Sequence, residues 1–485
     1  MSYAALRTDD LETPPDLAPA VDTTLELKAR GMSALLESPL LENGIDTTHL
    51  DDSTGSDAVT SAADAEAPSW FAVCAPGWVN LTKTMMGAGI LTLPFAFSKA
   101  GWLLGVLLLS ASGIGSGIGM LCLFRAARHT PPNEATFADL AVRVHPHLAI
   151  VTDFFVCIGG TASCVVYLIV IGNLMPQVAP LLFGVSTDSI VATKEFWITL
   201  LAWAFCFPLA CLRKLHSLRF SSALGLVIIL YVIVLVTVLH FSPVIACSGA
   251  SSPDACRGPI TAVNSQFFTV VSSMPLFVSA FSCAMNVVSV ARETEHLTAT
   301  RARIVTASTI VTGALCYGLV GLLGYWTYGA NVHANILEGN YPSDNASVAV
   351  ARIAETIVVA VCIPLQFNPA RRCWVSLVQR LARLLHENHP SCVSAPPDWI
   401  DSVGDVRSTP YAVATACLVA VVYAVGMRVT DLGIVFGVFG ATGAVATSYW
   451  LPGLIYFKIC GDVKGLWFAM FGGALSIVCV VALFL

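Results

Sequence analysis

The residues with the most chemical potential lie in Asn80-Leu81-Thr82-Lys83-Thr84-Met85-Met86-Gly87-Ala88-Gly89-Ile90-Leu91-Thr92-Leu93-Pro94. Lys83 puts an ammonium inside an apolar run, and an ionisable group at membrane depth is a functional-site candidate by default. Gly87, Gly89 and Pro94 stand where a regular helix asks for Leu or Ala. Together they predict a broken helix, and the backbone groups freed by a break persist only against protein or a water-filled cavity. The plainer reading is a kink in an ordinary span, since Gly and Pro are common in membrane helices. For Lys83 the plainer reading is an ammonium that snorkels to the inner headgroups. Lys83 precedes Gly87 by four residues, about 6 Å of helical rise, which is deep for snorkelling. A second run, Met274-Pro275-Leu276-Phe277-Val278-Ser279-Ala280-Phe281-Ser282-Cys283-Ala284-Met285-Asn286, joins Pro to small polar residues and mirrors the first. Its plainer reading is close helix packing.

The elements that position these runs follow from composition. Of 485 residues, 56% are hydrophobic and 12% charged, with a mean hydropathy of +0.76. A soluble domain carries roughly 25% charged residues, so this is an all-α polytopic membrane protein. Residues 1–68 hold 14 Asp/Glu against Arg7, Lys28 and Arg30, while the remainder holds 17 acids against 22 bases. That acidic head, rich in Pro, Ser, Thr and Asp, lacks the apolar content to fold and reads as a disordered cytosolic tail. It has neither a basic n-region nor an apolar h-region, so no cleaved signal peptide is expected. Residues 69–485 form one transmembrane domain. Eleven hydrophobic segments fall near 75–98, 101–124, 148–181, 193–212, 219–241, 263–289, 303–328, 348–368, 409–427, 430–457 and 465–484, each about 20 residues, the length a bilayer core demands. With the N-terminus in the cytosol, 16 Lys/Arg fall on inner loops and five on or near the outer side, which sets the orientation. Residues 134–144 suit a short helix on the inner surface. Residues 386–408, polar and Pro-rich, read as a cytosolic linker. Two interrupted segments, the first and the sixth, in corresponding places of two five-helix halves are the pattern of an inverted repeat, with an eleventh helix left over.

A resemblance runs in order through these segments. Asn80-Leu81-Thr82 and Met86 through Pro94, followed by Ala100-Gly101-Trp102, open it, and Tyr167-Leu168-Ile169-Val170-Ile171-Gly172-Asn173-Leu174-Met175-Pro176 continues it. Pro208-Leu209, Leu212-Arg213-Lys214-Leu215 and Ser217-Leu218 follow, then Gly324-Tyr325-Trp326-Thr327-Tyr328-Gly329 and Asn335-Ile336-Leu337. Pro364 with Phe367-Asn368-Pro369-Ala370-Arg371, Asp431-Leu432-Gly433, Gly440 and Leu451-Pro452-Gly453 complete it. From about residue 75 to 457 the chain resembles the amino acid/auxin permease family, most of all its neutral amino acid transporter branch, which has sodium-coupled members. The resemblance implies an alternating-access carrier whose substrate backbone groups are held by Thr84, Met85, Gly87, Ala88 and Gly89 of the first segment and Phe281, Ser282 and Cys283 of the sixth. The half-helix start after Gly89 would offer N–H groups to a carboxylate, and carbonyls near Thr84 to Met86 would take the ammonium.

Two departures from the family pattern bear on the coupling ion. Lys83 stands where sodium-coupled relatives carry Asn, and a lysine offers three donors and no acceptor. The eighth segment, Ile357-Val358-Val359-Ala360-Val361-Cys362-Ile363-Pro364-Leu365, has no hydroxyl near its proline. Both speak against sodium and for a proton as co-substrate, with Lys83 as the coupling residue, or for uncoupled facilitation. The expected function is a secondary amino acid transporter for neutral amino acids. The rivals are a sodium-coupled symporter and an amino acid-sensing receptor that signals through the tail.

The remaining candidates carry less. Asp153 reads as a solvated edge charge at the inner end of the third segment, and Glu355 as the i,i+3 partner of Arg352. Cys247 and Cys256, in the outer loop after the fifth segment, are a disulfide candidate. No nucleophile triad, phosphate loop or metal-ligand cluster occurs, so neither enzyme activity, a cofactor, a metal nor a nucleic-acid partner is expected. The partners are an amino acid, a proton and the lipid bilayer, and the membrane is the plasma membrane or that of a vacuole or lysosome.

Overall fold

The computed structural model describes residues 70–131, 136–186, 188–211, 219–247, 256–294, 297–342, 344–388 and 409–484. The acidic head, Arg213, Lys214 and linker residues 389–408 lie outside the described residues. The first segment folds as α1 (Trp70–Met85), a 3₁₀ turn (Ala88–Thr92) and α2 (Leu93–Ala100). The second and third are α3 (Trp102–Arg128) and α5 (Pro146–Phe183), with α4 (Phe137–Val144) between them. The fourth is α6 (Lys194–Thr199), π-helical turns over Leu200–Cys206 and α7 (Phe207–Ala210), and the fifth is α8 (Arg219–His240). The sixth is α9 (Phe267–Ala280), a 3₁₀ turn (Ala284–Asn286) and α10 (Val287–Glu293). Then come α11 (Ala299–Tyr328), the short α12 (Ile336–Gly339), α13 (Ala346–Asn388) and α14 (Thr409–Arg428). The tenth is α15 (Leu432–Phe439), π-helical turns (Gly440–Ala444 and Ala446–Trp450) and α16 (Leu451–Cys460), and α17 (Val463–Ala482) ends the chain.

Among the described residues, eight helices are long and apolar enough to cross a membrane, and two shorter apolar ones, Ala88–Ala100 and Leu224–His240, add to them. The protein is therefore a multi-pass membrane protein. The difference from eleven expected segments lies in the first, which is broken, the fourth, which is built of short pieces, and the fifth, whose described apolar part is short.

Local chemistry explains where the pieces stop. Gly87 is extended (φ −106°, ψ −159°) and ends the first half-helix, and Pro94 sits in the first turn of α2, where a missing N–H costs nothing. Gly101 takes φ +88° to turn the chain into α3, and its N–H caps the Phe97 carbonyl at 2.7 Å. Thr136 and Asp139 form a reciprocal capping box on α4, which buries Phe137, Leu140 and Ala141.

Close approach of backbones holds the bundle together, as expected where lipid and side chains are equally apolar. The glycines of α3 form two seams. Gly113 and Gly117 face Ile310 of α11, while Gly115 faces the Tyr449 ring and Gly119 the Ser448 carbonyl of the tenth segment. Gly440 meets the Pro275 carbonyl of α9 in the same way.

Asp153 does not behave as a solvated edge charge. It is 1% exposed, accepts a hydrogen bond from Ser376 Oγ at 2.7 Å and pairs with Arg380 Nε at 3.3 Å. The reason is the length of α13: it runs on to Asn388, so Ser376 and Arg380 lie over the start of α5 and exclude water. Glu355 does not pair with Arg352 either. The Arg352 side chain is fully buried and donates to the Leu337 carbonyl at 2.9 Å and the Tyr341 carbonyl at 2.8 Å, clamping α12.

Gly440→Val forces a side chain into the Pro275 carbonyl and is expected to abolish a monodisperse peak in size-exclusion chromatography. Gly473→Ala, where a Cβ meets nothing within 4 Å, is expected to keep that peak and to gain about 0.5–1 kcal/mol of helix stability. A folded Gly440→Val protein would show that the sixth and tenth segments can separate without loss.

Candidate functional site

The two breaks meet. At the first, α1 ends with Met86 N–H on the Thr82 carbonyl (2.8 Å) and Gly87 N–H on the Met85 carbonyl (3.0 Å). At the sixth, Phe281 N–H reaches the Val278 carbonyl (3.3 Å) and Ser282 N–H the Ser279 carbonyl (3.2 Å). Ser116 Oγ of α3 donates to the Phe281 carbonyl at 2.7 Å. The hydroxyl of Tyr317, a fully buried residue of α11, lies 2.6 Å from the Met85 carbonyl and 2.9 Å from that of Ala280. One phenolic proton is thus shared between the last carbonyls of two half-helices, the groups a helix end leaves without partners. A second tie lies beyond the breaks: Asn286 Nδ2 donates to Thr84 Oγ1 at 2.8 Å, and Thr84 Oγ1 donates to the Asn80 carbonyl at 2.9 Å.

Beside the first break lies a cavity of about 260 Å³. The first segment lines it with Asn80, Lys83, Thr84, Met86, Gly87 and Ala88, and the sixth with Asn286. Tyr167 comes from α5, Gly225 and Ile229 from α8, and Glu355, Cys362 and Gln366 from α13. The Tyr167 hydroxyl stands 3.6 Å from where a Cβ on Gly87 would be, so a side chain there would narrow the cavity at the break. The first N–H groups of the turn after Gly87, those of Ala88 and Gly89, precede any intrahelical acceptor and are available to an anion.

Of the residues singled out from sequence, the structure brings Lys83, Thr84, Gly87 and Ala88 to this cavity. Met85, Gly89, Phe281, Ser282 and Cys283 are not among its lining. The Met85 side chain packs on Gly313, and its carbonyl is taken by Tyr317, so that acceptor is not left for an ammonium. A Cβ on Gly89 would meet the Phe436 ring at 3.6 Å. Phe281 is wedged between Gly113 and the Tyr317 ring, whose centroid is 5.4 Å away, and Cys283 Sγ points to Met120 Sδ at 3.7 Å. Sequence reasoning missed Tyr167, Asn286, Gln366 and Glu355 as lining groups. Asn286 closed the small polar run and Glu355 is an acid within an apolar segment, so both carried a signal.

Away from the cavity, Cys247 and Cys256 are joined in a disulfide with Cα atoms 6.0 Å apart. Among the described residues no group of three or more His, Cys, Asp or Glu side chains gathers to hold a metal ion.

A multi-pass helical protein with two interrupted helices meeting at a polar cavity has the anatomy of a membrane carrier. Residues 74–485 match the model of the family described as transmembrane amino acid transporter protein, and the chain belongs to that family. It is 29% identical over 417 residues to vacuolar amino acid transporter 5 of Saccharomyces cerevisiae, covering 80% of this chain and 88% of that one. With vacuolar amino acid transporter 5 of Schizosaccharomyces pombe the identity is 30% over 380 residues, 78% and 83% of the two chains. Sodium-coupled neutral amino acid transporter 7 of Rattus norvegicus is 26% identical over 297 residues, 59% and 60% of the two chains.

Tyr317→Phe takes the shared donor from two buried carbonyls; that of Met85 keeps the Gly87 N–H, while that of Ala280 loses its side-chain donor, and a bare polar group costs about 1–3 kcal/mol. The variant is expected to melt at lower temperature in detergent and to lose about tenfold in uptake, the equivalent of about 1.4 kcal/mol. Wild-type melting and uptake in Tyr317→Phe would show that the breaks hold without it.

Proposed function

We propose that this chain carries neutral amino acids across its membrane by alternating access, driven by protons or by the substrate gradient and not by sodium. The observation that carries the reading is the cavity at the first break, with Lys83, Gly87 and Ala88 on its wall and Gly89 next in the turn that begins at Ala88. The family and the relatives named as amino acid transporters support amino acids as the cargo. The substrate carboxylate is assigned to Ala88 and Gly89 N–H, aided by the positive end of the half-helix that follows. Thr84 is already on the cavity wall, and Met85, Phe281, Ser282 and Cys283 are assigned to the walls that close on the substrate in another state of the cycle. The apolar remainder of the cavity wall, Ile229, Val358, Val359 and Leu365, suits an uncharged side chain.

Lys83 decides the ion. A sodium ion asks for several oxygen ligands, and the cavity's side-chain oxygens, on Asn80, Thr84, Tyr167, Asn286, Glu355 and Gln366, share it with an ammonium that repels a second cation. The sodium-coupled relative matches a smaller share of this chain than the two vacuolar ones do. The architecture belonging to this reading has eleven crossings, an inverted repeat of five helices plus one, and a cytosolic N-terminus ahead of Trp70. Its membrane is that of the vacuole, by the names of the fungal relatives. The interrupted helices ask for a moving substrate, which a receptor signalling through its tail does not explain.

Uptake into proteoliposomes under a pH gradient without sodium is expected to accumulate substrate. A strict need for sodium would overturn the reading from Lys83. Lys83→Ala is expected to flatten the pH dependence of uptake while changing KM by less than about threefold. An unchanged pH profile would reduce Lys83 to an anchor.

A further inference from the structure

Glu355 is the one cavity-lining acid, and the fold gives it no work. It is 5% exposed and lines the same cavity as Lys83, Gly87 and Ala88. Among the described residues nothing hydrogen-bonds to it or forms an ion pair with it. The other buried charges on α13 have hydrogen-bond partners: Arg352 donates from Nε and Nη2 to the Leu337 and Tyr341 carbonyls, with only its Nη1 unmet, and Arg371 donates to the Ala210 carbonyl and to Asn368 Oδ1, both at 2.6 Å. A carboxyl kept only for stability would be partnered, because an unpaired buried charge is destabilising.

The groups that line the cavity with it are few. Lys83 comes from α1 and Tyr167 from α5; α8 contributes only Gly225 and Ile229, and the sixth segment Asn286, none of which titrates. On its own helix Cys362 follows two turns later on the same wall. Glu355 is therefore an acid without a fixed partner, lining the same cavity of about 260 Å³ as one base, Lys83.

We propose that Glu355 carries the co-transported proton and that Lys83 is its fixed counter-charge, a step that rests on the proton-coupled reading above. With Glu355 ionised, its charge and that of Lys83 cancel. A proton from the aqueous phase adds to a carboxylate oxygen and forms an O–H bond, while Lys83 stays an ammonium. The cavity now carries one net positive charge, and the α-carboxylate of the substrate at Ala88 and Gly89 restores neutrality. On the opposite side the substrate leaves and the carboxyl returns its proton to water. Because each event favours the other, proton and substrate affinities rise together, as linkage requires.

The test uses the full chain in proteoliposomes with the membrane potential clamped. With one proton per substrate, the wild-type protein accumulates substrate about tenfold for one pH unit. Glu355→Gln is expected to bring accumulation down to equal concentrations on both sides, while exchange of labelled for unlabelled substrate stays within about threefold. Glu355→Asp, which keeps a titrating group, is expected to restore part of the accumulation. Wild-type accumulation in Glu355→Gln overturns the proposal. So does a parallel loss of exchange in a variant that keeps the wild-type melting temperature, because that places Glu355 in substrate binding. Should Glu355→Gln fail to insert, Glu355→Asp decides: a shifted pH profile of uptake is expected, and an unchanged one overturns the assignment. A wild-type protein indifferent to the pH gradient sinks the coupling reading itself, and that is seen before any substitution.

Discussion

The fold turns on one constraint: inside a bilayer no water is available to satisfy a broken backbone. The chain breaks two helices, and the bare ends must be met from within. Tyr317 meets two of them with one hydroxyl, Ser116 meets the Phe281 carbonyl, and Thr84 and Asn286 link the two segments beyond the breaks. These donors come from α3, α11 and the broken segments themselves. The bundle has to pack α3 and α11 against the breaks before the breaks can exist, and the glycine seams of α3 allow that approach. The polar cavity is thus a consequence of the packing as much as a hole in it.

Charge is handled by the same economy. Arg352 ties α13 to the Leu337 carbonyl of α12 and to the Tyr341 carbonyl just after it, while Asp153 with Arg380, and Arg371 with the Ala210 carbonyl and the Tyr411 ring at 4.1 Å, tie elements distant in sequence. Arg352 near the start of α13, and Arg371 and Arg380 in its second half, fasten it to α12, the fourth segment, α14 and α5. Between those points the cavity face of α13 carries Glu355, Cys362 and Gln366 toward the first break. A helix fastened on both sides of this stretch is suited to hold these groups at fixed places on the cavity wall.

How far the sequence was legible depended on the range of the interaction. Gly87, Gly89 and Pro94 act on their own backbone, so the first interruption could be placed from local sequence, whereas Pro275 lies inside α9 and the sixth break comes after it, in the small polar run. The direction a side chain faces depends on partners far along the chain, and there local spacing misled. Arg352 and Glu355 lie three apart, which argues for a pair, yet Arg352 finds the carbonyls of Leu337 and Tyr341 and leaves Glu355 facing the cavity. Asp153 looked solvated because nothing local revealed that α13 overshoots the bilayer and covers it. Phe281 and Cys283 stand beside a break, and still the break turns them toward Gly113 and Met120. Hydropathy found the segments but not their lengths, since an interrupted segment is two short helices to any length criterion.

The position of Lys83 joins these strands. It lies four residues before Gly87, about one helical turn, so the charge and the free N–H groups share one low-dielectric space. In such a space a unit charge is felt far more strongly than in water. Any change of charge on the cavity wall therefore changes the affinity of the break for an anion, without a wire of intervening contacts. A solvated lysine a few turns nearer the headgroups would be screened and could not do this. The break supplies the donors, Lys83 supplies the field, and their closeness makes binding at the first respond to the charge around the second.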